Sequence, residues 1–167
     1  DSSGPQPVAY KRLRDELFDS ESFTTSPTGG LDSFVEEIES RGKHDLVLGL
    51  LDSSHPDDYV LLCLKQGRKP DDWGLMGKSE AWILEEQGLR PALGDLVARG
   101  LDYVHDGPEA EARVRSGECQ LAFFLKPFPL DLFETVMTQG MRLPAKSTFF
   151  YPKLPTGMVI NQLSGVL

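Results

Sequence analysis

The chain has 167 residues, a formal net charge of −9 and 40% hydrophobic content, enough for one buried core. Lysine and arginine are spread thinly, so a phosphate backbone or an anionic membrane surface is repelled on average, which argues against nucleic-acid and membrane partners. No run approaches the ~20 apolar residues of a spanning helix, and a soluble, cytoplasmic protein is expected.

Residue 1 is aspartate rather than methionine, so a fragment or a processed part of a longer protein is expected. Residues 1–7 and residues 20–30 (SESFTTSPTGG) are rich in Ser, Thr, Gly and Pro and read as loops. Between them YKRLRDELF gives a short helix with Leu13 and Leu17 on one face. Residues 1–30 are thus expected as a loose extension on a single α/β domain over residues 31–167, itself the C-terminal portion of a longer protein. In that domain Leu31, Phe34, Val35 and Ile38 fall at i, i+3, i+4 and i+7, and Gly42 stands where a helix stops.

Two apolar runs follow, DLVLGLL and YVLLCLK, joined by DSSHPDD, whose Asp, Ser and Pro residues favour a turn. They predict an antiparallel hairpin. QGRKPDDWG reads as a loop, and SEAWILEEQ and PALGDLVAR as two short helices broken by Gly88 and Pro91. LDYVH reads as a strand, Pro108 and Gly117 bracket a helix, CQLAFFLK is a second strand, and Pro129 and Gly140 bracket another helix. That order predicts a right-handed crossover and a parallel pair. The fold class is therefore α/β or α+β: a mixed sheet with an N-terminal hairpin and a C-terminal βαβα unit, helices packed on the sheet. STFFY and GMVI add strands or an edge ribbon.

Cys63 and Cys119 each lie inside an apolar run, where a thiol acts as a small core hydrophobe, and their number gives neither a disulfide framework nor a zinc site. His44, His55 and His105 are not at metal-ligand spacing, and no metal is expected. An acidic turn around His55 (Asp52, Asp57, Asp58) is usually just solvated. GLMGKS over residues 74–79 imitates a phosphate loop, but the glycine required five residues before Gly77 is replaced by Asp72 and no apolar strand leads into it. His105 and Asp106 end the LDYVH strand at its carboxyl edge, where open α/β sheets place ligands; Asp106 equally suits a helix cap. The pairs Glu36/Glu37, Glu85/Glu86 and Asp57/Asp58 carry no assignable catalytic role.

The segment RLPAKSTFFYPK is the densest cluster of binding chemistry. Lys146, Ser147 and Thr148 join one cation to two hydroxyls, which suits a phosphate or carboxylate, and Lys153 adds a second charge. Phe149, Phe150 and Tyr151 alternate across a strand, so that some anchor a core while another lines a pocket. The same residues also describe a plain strand bounded by prolines, with both lysines in water.

MRLPAKSTFFYPKLPTGMVIN resembles the C-terminal signature of a widespread family, domain of unknown function 1015, and YVHDGPEAEARVRSGECQLAFFLKPFPLDLFETV is similar to the stretch before it. The resemblance covers roughly residues 100–163. Members are more than twice as long, and their N-terminal part carries an Asp-Gly-His-His-Arg motif similar to a fold that includes sulfiredoxin and free-serine kinases. That motif is absent here, as is the Leu-Asp-Val…Leu-His run that members often show where this chain has AWILEEQGLRPALGDLV.

The resemblance implies a small-molecule phosphotransferase whose presumed histidines lie in the missing part, with a nucleotide and magnesium in the full-length protein. This chain would contribute Lys146, Ser147, Thr148, Tyr151 and Lys153 to the site, with His105 and Asp106 as secondary candidates. Its partner is the missing N-terminal portion or another subunit. The other reading is a non-catalytic structural or interaction domain in an assembly.

Overall fold

Val47–Asp52 (β2) is buried at all six positions, because it lies inside a sheet covered on both faces and a continuous apolar run satisfies both. In the computed structural model, which describes residues 11, 13–24, 30–68 and 70–143, the sheet has four strands. Phe18–Phe23 (β1), His55–Leu64 (β3), β2 and Leu121–Phe124 (β4) lie side by side in the order β1-β3-β2-β4. Every neighbouring pair is antiparallel. The predicted hairpin is β2 and β3, joined through Ser53 and Ser54, and the Asp52 carboxylate accepts the Ser54 N–H at 2.8 Å to close the turn.

One face of the sheet packs Leu48, Leu50 and Leu62 against Leu13, Leu17, Ile83, Leu84 and Leu89. The opposite face packs Val47, Leu51 and Leu61 beneath Gly30–Arg41 (α1) and, through Val114, a later helix, Gly107–Arg115 (α3). The helix over the first face (α2) is continuous from residue 80 to 93, with its middle, Ile83–Leu89, closed by i to i+5 hydrogen bonds such as Arg90 N–H to Glu85 O. A last helix, Leu130–Thr138 (α4), leans on a tight turn at Leu75–Lys78 and buries Leu132 and Val136 against Met76. The α/β class holds, in its α+β form. Among the described residues no helix is long and apolar enough to cross a membrane.

Four expectations are corrected. Residues 101–105 are not a strand, and β4 runs antiparallel to β2, so among the described residues the sheet is wholly antiparallel and holds no parallel βαβα unit. The segment must instead carry the chain from the helical layer on one face to the helical layer on the other, past the sheet edge. Residues 20–23 are not loop but part of edge strand β1, and Leu13, Leu17 and Phe18 are core residues, so the extension is not loose from Leu13 to Phe23. Gly88 and Pro91 do not break a helix: the break is Gly94, at φ +56°.

Gly88 serves packing instead, since a β-carbon there would fall 2.3 Å from Leu13 Cδ2. Gly49 is crowded by more atoms, with Ile38 Cδ1 and two atoms of the Phe34 ring between 2.5 and 2.7 Å from where its β-carbon would be. Gly49→Ala is expected to lower the unfolding free energy by about 2 kcal/mol, as overpacking of a filled core does. Urea denaturation measures it; a cost below about 0.5 kcal/mol would mean that α1 slides freely on the sheet.

Candidate functional site

Lys146, Ser147, Thr148, Tyr151 and Lys153 lie outside the described residues. His105 and Asp106 lie within them, both exposed and both lining a cleft beside β4, though not at the end of a strand. Asp106 occupies the N-cap position of α3 and its carbonyl accepts from Ala110 N–H at 3.1 Å; its side chain makes no capping bond. The GLMGKS stretch is a helix start rather than a phosphate loop. A turn at Pro70–Trp73 precedes it instead of a strand, and the Ser79 hydroxyl accepts the Trp82 N–H at 3.3 Å.

Asp57, in the acidic turn, pairs with Arg115 at 2.5 Å, and Arg115 also holds Glu111, to which the Tyr59 hydroxyl donates at 2.6 Å. Among the described residues no group of three or more His, Cys, Asp or Glu side chains is placed to hold a metal ion.

The cleft has a volume of about 740 Å³ and runs along the outer edge of β4. On one side of the sheet plane it is walled by Leu84 and Leu89 of α2, on the other by Ile38 of α1 and Ala110 of α3, and residues 101–106 cross it. Apolar side chains thus line it on both sides of the strand, among charged ones. The strand's hydrogen-bonding directions follow from its register. Ser53 N–H donates to Gln120 O at 2.9 Å, and residues 49 and 51 oppose 124 and 122, so Gln120, Ala122 and Phe124 turn their backbone groups toward β2. Leu121 and Phe123 turn theirs into the cleft, where no described strand meets them.

The rim is charged, and its cations are paired. Arg113 donates to Asp102 at 2.6 Å and to Glu118 at 2.9 Å, and this bond to Arg113 holds the Asp102 carboxyl below its ordinary range. The Tyr103 hydroxyl reaches Glu85 at 3.4 Å; burial first, then the charge of Glu85, pushes its pKa up. Burial likewise pushes the Cys63 thiol up, the opposite of what a thiolate nucleophile needs.

At the carboxyl end of β4 lies a buried ion pair that sequence reading missed. Lys126 Nζ stands 2.8 Å from Glu80 Oε1 and also donates to the Gly42 carbonyl, just past the end of α1. Glu80 opens α2 and is 5% exposed. The cation therefore meets a helix C-terminus and the anion a helix N-terminus, each favoured by the helix dipole. Oε1 has its counter-charge within reach but no well-aligned hydrogen bond. Burial raises the Glu80 pKa, and Lys126 opposes that rise. Gly42 makes room for the arrangement: a β-carbon there would fall 2.7 Å from both Lys126 Cδ and Ile38 O. A lone lysine after LAFFL and a lone glutamate after GKS give no local sign of each other.

Scans of family models, curated proteins and solved structures each found no match to this chain.

Proposed function

We propose that the chain is the binding half of a larger protein of the kind that its C-terminal segment resembles, and that Lys146, Ser147, Thr148 and Lys153, with Tyr151 beside them, hold a small anion or the phosphates of a nucleotide carried with magnesium. The reacting groups come from the missing portion or another subunit. The observation that carries this reading is the charge around the cleft. Of the cations lining it, Arg113 is held by Asp102 and Glu118, and Lys126 by Glu80. Glu39, Glu85 and Asp106 add further negative charge. Such a lining repels an anion, so a phosphate needs cations from outside it, and Lys146 and Lys153 are chemically suited to supply them.

Titration of the full chain with inorganic phosphate, and with magnesium ATP, is the test. Lys146→Ala and Lys153→Ala are each expected to weaken binding about tenfold, the value of one charge-assisted hydrogen bond. Affinity unchanged in both variants rejects the assignment.

The second reading, a non-catalytic interaction domain, is favoured by α4. Leu130 is 70% and Met137 44% exposed, and their spacing of seven places them on one outward face. Its partner is the missing portion of the same protein or another subunit. Light scattering that gives only an 18.5 kDa monomer at every concentration removes self-association from this reading.

A further inference from the structure

We propose, resting on the reading of the chain as an interaction domain, that the outward face of α4 docks a basic amphipathic helix of a partner chain. Among the described residues, three of the six large apolar side chains that are exposed, Leu130, Met137 and Met141, belong to α4 and its cap, so apolar exposure gathers there. Leu132 and Val136 are buried on the opposite side of the same helix, in the cluster with Met76. Met141 is held although it follows the helix. Gly140 sits at φ +65°, and the Met141 N–H donates to the Val136 carbonyl at 3.0 Å, a cap that folds residue 141 back onto the last turn. A helix with apolar side chains on its inner and its outer side is completed by a further layer.

The charge around this face selects the partner. Glu134 stands one turn from both Leu130 and Met137, with Asp131 next to Leu130, and both acids are exposed. Asp71 and Asp72 are exposed on the turn Pro70–Trp73, which packs on the Leu75–Lys78 turn beneath α4. None of these four carboxylates enters an ion pair among the described residues. By contrast Glu37 of α1, Glu85 and Glu86 of α2 and Glu111 of α3 are each held by an arginine of their own helix. Within α4 there is no Lys or Arg, and Lys78 and Arg142 beside it leave the region net negative.

A second copy would set Asp131 and Glu134 against their own kind, on a chain of net charge −9. An anionic bilayer is repelled in the same way, since helices that lie on membranes line their polar face with Lys and Arg. A helix with apolar anchors at i, i+3 or i+4, and i+7, flanked by Lys or Arg, meets both the apolar stripe and the unpaired carboxylates. Two methionines in the stripe adapt readily to such a partner's side chains.

The test is a titration of the full 167-residue chain with a synthetic peptide of about 18 residues, leucine and lysine patterned as a five-turn amphipathic helix. The control is the same peptide with glutamate in place of lysine. Methionine methyl NMR reads the site: the lysine peptide should shift Met137 and Met141, and shift Met76, buried under α4, least. Leu130→Gln and Met137→Gln, both at exposed positions, should each weaken binding about tenfold. Asp131→Asn with Glu134→Gln should weaken it about fivefold at low salt, and Leu96→Gln, 62% exposed at another place, should leave it unchanged. Binding that the α4 variants leave unchanged overturns the proposal. Equal shifts with the glutamate peptide rule out the basic partner while docking at α4 stands; shifts with neither peptide remove both. Association of the chain with itself in light scattering assigns the face to a second copy, and shifts produced by phosphatidylcholine–phosphatidylserine vesicles assign it to a membrane, and each overturns the proposal.

Discussion

Lys126→Met is expected to destabilise the fold by about 3 kcal/mol at neutral pH, and by much less near pH 4. Methionine keeps most of the apolar stem, so little packing is lost; what changes is that Glu80, 5% exposed, is left without its counter-charge. The sign of the pH dependence follows from the raised pKa of Glu80, which burial causes and Lys126 opposes. A carboxyl whose folded value lies above its ordinary 4.5 takes up its proton more readily in the folded state. The stability this contributes is fully present below the ordinary value and is lost as pH rises through the folded one.

Without Lys126 the opposition is gone, the folded value climbs further, and the loss extends toward neutral pH. Urea titrations of both proteins from pH 4 to 7.5 should therefore diverge as pH rises. Adding Glu80→Gln to Lys126→Met should recover most of the loss at neutral pH, because it removes the stranded charge. A cost that is independent of pH, or a double variant no better than the single, would mean that Glu80 reaches water when Lys126 is gone.

Sequence reading succeeded where the deciding contacts are local. Leu31, Phe34 and Ile38 of α1 all enter one core cluster, so their helical spacing carried the whole message. The β2–β3 hairpin was legible from its turn chemistry, and α3 and α4 from the prolines and glycines at their ends. It failed where a distant partner decides. β1 reads FDSESF, and only Phe18 and Phe23 face inward; the rest is a strand because β3 supplies its hydrogen bonds. Residues 101–105 have a strand's composition but no described strand beside them. Gly88 looked like a break because glycine usually is one, and nothing nearby announces that Leu13 will press on it.

The direction of β4 is not written in LAFF at all, and that misreading hid the cleft: a parallel β4 with LDYVH as its neighbour would have no free edge. His105 and Asp106 do line the cleft, but as part of a crossing segment rather than at a strand terminus.

Phe34→Ala is expected to cost about 4 kcal/mol, at the upper part of the range for deleting a buried aromatic ring. The ring is fully buried and lies 4.7 Å from Tyr59, 5.4 Å from Phe23 and 5.9 Å, edge-on, from Phe124. It therefore ties α1 to three strands at once, and each aromatic pair adds to the area it buries. It also covers Gly49, and glycine has no side chain to swing into the space, so the cavity stays open.

The same geometry predicts a coupling. Gly49→Ala overpacks the native core, but in the Phe34→Ala background its methyl group enters the void, so the double variant should cost clearly less than the two single costs added together. Additive costs would place the tightness at Gly49 on Ile38 rather than on Phe34. Phe124 is the last residue of β4, so a ring lost at position 34 also loosens the strand that borders the cleft. Amide exchange of Ala122 and Phe124, whose backbone groups face β2, should accelerate in Phe34→Ala more than that of Leu48 and Leu62.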